Sequence, residues 1–130
     1  MTRRATAVFE VKSWDETPYD EEGPKLTRAS VTKEFRGDIE GLGTVEYLMM
    51  YRNDGSASFV GLERIAGRIG NRKGSFVLQH TGTFAGDVAK ATWVVVPGSG
   101  TGDLQGLRGD GGYTSAHAAQ YPMTLDYEID

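Results

Sequence analysis

Apolar and polar residues alternate with a period of two along nearly the whole chain, and no helical stripe appears beyond one short turn. Ala5, Ala7, Phe9 and Val11 mark one side of a first strand over residues 5–13. Residues 14–24 carry too much Pro, Gly and charge for a strand and read as an acidic loop. A second strand runs from about Lys25 to Phe35 and turns through Arg36-Gly37-Asp38. The third covers Ile39 to Tyr51 and ends at Asn53-Asp54-Gly55, the strongest hairpin signal in the chain. Strands over 56–69, 75–84 and 89–96 follow, separated by turns at 70–74 and 85–88, and Pro97 stops the last of them. A Gly-rich loop occupies 98–109, with Thr101 placed to cap one helical turn, and strands near 111–116 and 123–129 complete a set of eight.

Eight strands joined mainly by tight turns predict an all-β protein, a closed eight-stranded antiparallel up-and-down barrel of lipocalin-like type with little helix. Closure removes both exposed edges. The 18 glycines are spread along the chain, as the corners and bulges of a strongly curved sheet require. Alternation alone also permits a β-sandwich. At 130 residues the chain reads as a single barrel domain, 1–130, able to bury one core.

Turn positions predict the register. Two-residue loops at Asp54-Gly55, Asn71-Arg72 and Gly86-Asp87 would place Glu46 opposite Glu63, Glu63 opposite His80, and His80 opposite Trp93. Those four residues would form one row on a face shared with Leu48, Met50, Phe59, Phe76, Leu78 and Phe84, the expected barrel interior. Val45, Tyr47, Met49, Tyr51 and Val60 would then lie outside, where such a stripe invites burial between copies of the chain. A one-residue slip in any hairpin would reverse its strand. Ionisable groups on an apolar face are costly unless paired or used. Glu46, Glu63 and His80 are therefore candidate acid–base residues, with Trp93, Phe59, Phe76, Leu78, Phe84, Leu48 and Met50 as candidate ligand-binding walls. The alternative is a satisfied buried network that fixes strand register, with Trp93 as core packing.

Charge and composition narrow the classes. A net charge of −4 without any long run of like charge argues against a nucleic-acid surface. The absence of cysteine excludes disulfides, thiolate metal sites and a cysteine nucleophile. His80 and His117 are the only histidines and show no metal spacing, so neither a metal nor a cofactor is expected, and His117 is expected to face solvent. No apolar leader follows the N-terminus and no run approaches a membrane span of about 20 residues, which predicts a soluble cytoplasmic protein. The 98–109 loop lacks the Lys-Ser/Thr ending of a phosphate loop. It is expected to plug one mouth of the barrel through Leu104 and Leu107.

Three strings carry a family resemblance: Gly61-Leu62-Glu63-Arg64; residues 74–84, Gly-Ser-Phe-Val-Leu-Gln-His-Thr-Gly-Thr-Phe; and residues 96–109, Val-Pro-Gly-Ser-Gly-Thr-Gly-Asp-Leu-Gln-Gly-Leu-Arg-Gly. The chain resembles a bacterial domain-of-unknown-function family of small proteins grouped with the allene oxide cyclase-like barrels. The resemblance implies a closed barrel with an interior cavity, commonly in homo-oligomers, and carries no catalytic residues over. The expected function is binding of a small, partly apolar molecule in the lumen. If the protein is an enzyme, it would be an isomerase or cyclase working non-covalently by cavity shape and acid–base groups. The alternatives are a carrier or sensor without turnover, and a packed, oligomerising barrel without a ligand.

Overall fold

The structure, a computed structural model, describes residues 2–116 and 119–129. Eight strands run β1 (Arg3–Asp20), β2 (Leu26–Gly37), β3 (Ile39–Tyr51), β4 (Ala57–Ile69), β5 (Arg72–Ala85), β6 (Val88–Val95), β7 (Leu107–Ala116) and β8 (Tyr121–Ile129), with one 3₁₀ turn at Gly102–Leu104. Each strand pairs antiparallel with the next, and β8 returns to pair with β1 from Arg3↔Tyr127 to Phe9↔Tyr121. The sheet is thus the closed up-and-down barrel that the alternation predicts. Among the described residues, no helix is long and apolar enough to cross a membrane. His117 lies outside the described residues.

β1 is longer than its pattern suggests. Its pairing with β2 slips between Val11 and Ser13, so Lys12 is an extra residue and the inward set changes from Phe9 and Val11 to Trp14 and Glu16. A bulge hides a strand from a period-two reading, and the acidic stretch to Asp20 is therefore strand. Beyond Phe9, β1 has no β8 partner, so this part forms a two-stranded ribbon with β2 that rises above the rest of the wall.

The three tested hairpins differ in loop length. At β5–β6 the loop is Gly86-Asp87, both with positive φ, and His80 faces Trp93 as expected. At β4–β5 it is Gly70-Asn71, one position earlier than expected, which slides the strands by two residues and keeps every side chain on its face. At β3–β4 it is three residues, 53–55. The Gly55 amide donates to the Arg52 carbonyl at 3.0 Å, Gly55 takes the left-handed conformation, and Tyr51 pairs with Ala57. That odd shift turns β3 over. Val45, Tyr47 and Met49 are buried inside and Tyr51 is half-buried, so the expected outer stripe survives only at Val60. Leu48, Leu62 and Leu42 face outward instead.

Meander topology puts the β2–β3 and β4–β5 turns and the β6–β7 connection at one end. That end is solid. Ile39, Ile65, Ile69, Phe76, Leu78 and Leu125 fill it, and Leu104 and Leu107 fold in from the Gly-rich loop. Each such side chain contributes about 1.5–3 kcal/mol by leaving water. The loop docks by replacing a strand. Below the β5–β6 ladder, the Ser75 amide donates to Thr101 Oγ1 at 2.9 Å, the Thr101 amide to the Ser75 carbonyl at 2.9 Å, and the Val77 amide to Ser99 Oγ at 3.0 Å. These hydroxyls take the place of ladder acceptors that β6 no longer supplies, each bond contributing about 0.5–1.5 kcal/mol.

Candidate functional site

The other end is hollow. A cavity of about 650 Å³ opens beneath the β1–β2 ribbon, walled by Phe9, Tyr47, Phe59, Phe84, Tyr113 and Tyr121, with Trp14 at its mouth. The Trp14 ring lies 6.1 Å from that of Tyr47, and its indole donates to Glu16 at 2.8 Å. Glu16 also accepts from the hydroxyls of Tyr51 and Thr27, so the rim is fixed by one shared carboxylate. Burial works against that charge, but the Thr27, Tyr51 and Trp14 hydrogen bonds outweigh it and hold Glu16 below the ordinary carboxylate range. A wider, open groove of about 970 Å³ runs along β1, β6, β7 and β8 and the end of β2; its charged residues, Arg36 and Lys90, are exposed.

Lys33 of β2 lies at the inner end of the cavity, only 2% exposed, in phase with Thr27, Ala29, Val31 and Phe35. Its ammonium donates to Tyr47 Oη at 2.9 Å and to Glu63 Oε1 at 3.4 Å, and it sits 4.4 Å from the centre of the Phe9 ring. Glu63 and His80, both fully buried, meet behind it, with His80 Nε2 2.8 Å from the same Glu63 oxygen. Gly43, opposite Lys33 on β3, makes room: a Cβ there would overlap Glu63 Oε2 and lie 2.8 Å from the Phe35 ring.

Electrostatics assign the protons. Burial pushes the Glu63 carboxyl up, but the Lys33 charge and the bonds from His80 and Lys33 outweigh it and leave it below the ordinary value. Burial pushes His80 down, more than the Glu63 bond raises it, so the imidazole is neutral and donates through Nε2–H. Burial and the Glu63 charge push the Tyr47 phenol well up, so it stays protonated. Glu63 Oε2, His80 Nδ1 and Trp93 Nε1 have no hydrogen-bond partner among the described residues. The Trp93 ring meets His80 edge-on at 5.1 Å.

The expected row is therefore only partly assembled. Glu63, His80 and Trp93 are together, although Glu63 faces Leu78 and His80 faces Gly61 across the ladder. Glu46 is a correction. It lies outside, opposite Leu62, and accepts from Arg28 and Ser30 at 2.9 Å each. Leu48 and Met50 share its face, with Leu48 49% exposed, and neither lines the lumen. Phe59 and Phe84 do wall the cavity, whereas Phe76 and Leu78 belong to the solid end and Trp93 packs beneath His80. Lys33 and Tyr47 escaped the sequence reading. The signal for Lys33 was a lysine occupying an apolar phase of β2; the signal for Tyr47 was inverted by the loop at 53–55. Among the described residues, no group of three His, Asp or Glu side chains is arranged to hold a metal.

Comparison with known proteins gives the kinship. A crystal structure of a protein of unknown function from Shewanella oneidensis MR-1, of the DUF3224 family, is 30% identical, with a TM-score of 0.79 over 100% of this chain and 99% of that one. No curated protein matches the chain. The sequence profile of the family described as "Protein of unknown function (DUF3224)" matches residues 5–127, and the chain belongs to that family.

Proposed function

We propose that this protein binds one small, partly apolar molecule in the open half of its barrel. The observation that carries the reading is a cavity of about 650 Å³ with aromatic walls, a solid base and a buried, partnered cation at its inner end. Ligand sites of about 300–1,000 Å³ with few, fixed polar groups have this character. A kinship with allene oxide cyclase-like barrels belongs to the same proposal, because a one-ended lumen suits an enclosed guest. Glu63 and His80 are set back from the cavity wall, behind Lys33 and Tyr47. This supports a positioning role for the pair and favours a carrier or sensor over an acid–base isomerase.

Titration with the fluorophore N-phenylnaphthylamine tests the reading. Saturable binding at one site per chain is expected, and Ala89→Trp, at the cavity mouth, should abolish it with little change in melting temperature. Fluorescence that never saturates, or binding that Ala89→Trp leaves intact, would overturn the reading.

A further inference from the structure

The polar end of the cavity is built from donors. The Lys33 ammonium has three hydrogens; Tyr47 Oη and Glu63 Oε1 accept two, and the Phe9 ring is a weaker partner than oxygen for the remaining side. The Tyr47 oxygen is engaged by Lys33, and among the described residues nothing accepts from its O–H. Two donors 2.9 Å apart thus stand side by side at the cavity end, a pair that one acceptor oxygen can bridge.

Charge decides which oxygen. Lys33 and Glu63 neutralise one another, and His80, bonded to the same Glu63 oxygen through Nε2 with Nδ1 unpartnered, adds no charge. A carboxylate guest would bring an uncompensated negative charge into a site more than nine-tenths buried, which disfavours it. An ammonium guest would meet Lys33. A neutral carbonyl accepts both donors and leaves the balance intact. The walls add shape: Phe9 and Tyr121 stack at 5.0 Å, and Phe59 and Phe84 complete a ring-lined slot. We propose that the guest is a neutral carbonyl compound with a flat apolar body, its oxygen held by Lys33 and Tyr47. This rests on the cavity-binding reading above.

Displacement of N-phenylnaphthylamine by three matched probes, acetylnaphthalene, ethylnaphthalene and naphthoate, tests it. The ketone is expected to bind at least about tenfold more tightly than the hydrocarbon, equivalent to about 1.4 kcal/mol, and more tightly than naphthoate. In Tyr47→Phe the ketone should lose most of its advantage over the hydrocarbon, Lys33 alone remaining to donate, while the hydrocarbon is unchanged. Infrared spectra of bound acetylnaphthalene should show a lowered carbonyl stretch in the wild type, relieved in the variant. The proposal is overturned if naphthoate binds as tightly as the ketone, or if ethylnaphthalene matches it, although the cavity reading then survives. It is also overturned if the ketone keeps its advantage without the Tyr47 hydroxyl. Failure of all three probes together with the fluorophore would instead bring down the cavity reading itself.

Discussion

Lys33 is paired inside the barrel with Glu63, 3.4 Å away, and Glu63 keeps its charge because of Lys33 and His80. Removing one member strands the other. Lys33→Met is expected to destabilise the fold by about 3–5 kcal/mol, and Lys33→Met/Glu63→Gln by much less, as a double-mutant cycle in urea would show. His80 sets the acid limb. Burial against Trp93 and Tyr47, with Lys33 nearby, holds its imidazole below the ordinary value of 6.5 although Glu63 pulls the other way, so just below 6.5 the unfolded chain binds a proton that the native one does not. Stability should therefore decline as pH falls below about 6.5, whereas the Glu63 contribution is lost only below about 4.5. Melting temperatures measured from about pH 7 to 5.5 should fall in the wild type and stay flatter in His80→Gln; parallel declines would remove His80 as the cause. At this scale the sequence was half informative. Glu63, His80 and Trp93 could be grouped because their hairpins preserve parity, whereas Lys33 has no turn to tie it to them, and only its neighbours at 31 and 35 announce an inward phase.

Apart from the bulged second half of β1, the strands were legible, and the one orientation that was not, that of β3, is explained by one turn. Asp54-Gly55 signals a hairpin in either a two- or a three-residue loop, and the choice depends on whether Asn53 joins the turn. Asn53→Val with Asp54→Asn, which favours a two-residue Asn-Gly turn closed by residue 53 opposite Ser56, is expected to drive Tyr47 and Met49 outward. Near-ultraviolet circular dichroism should then lose its aromatic bands, and unfolding its cooperativity. A variant with wild-type spectra would show that packing overrides the turn. The plug was easier to read, because leucines inside a glycine-rich loop have few reasons to be there other than burial. Leu104→Ala should cost about 2–5 kcal/mol, measured by chemical denaturation, since its site is closed on every side.

At the level of the molecule, alternation and turn spacing sufficed for the barrel, because eight strands joined mainly by short connections leave few other ways to pair every edge. What they could not give was the division into a packed half and an open half, which depends on where the 98–109 loop folds back. The closing seam joins β1 to β8, nearly the full chain length apart, so a large loop must be ordered before that pairing stabilises anything. A chain ending after residue 120 is expected to leave β1 and β7 as bare edges and to aggregate, by light scattering, at concentrations where the whole protein stays clear. Leu42, Leu48 and Leu62 already add exposed apolar surface to the outer wall.

The leucine plug has a corollary for traffic. A vessel with one door cannot pass its cargo through: whatever enters past Trp14 must back out the same way, and the last part in is the first part out. For the proposed guest, any handover to another protein would begin with the greasy tail, its oxygen end still moored at the far wall.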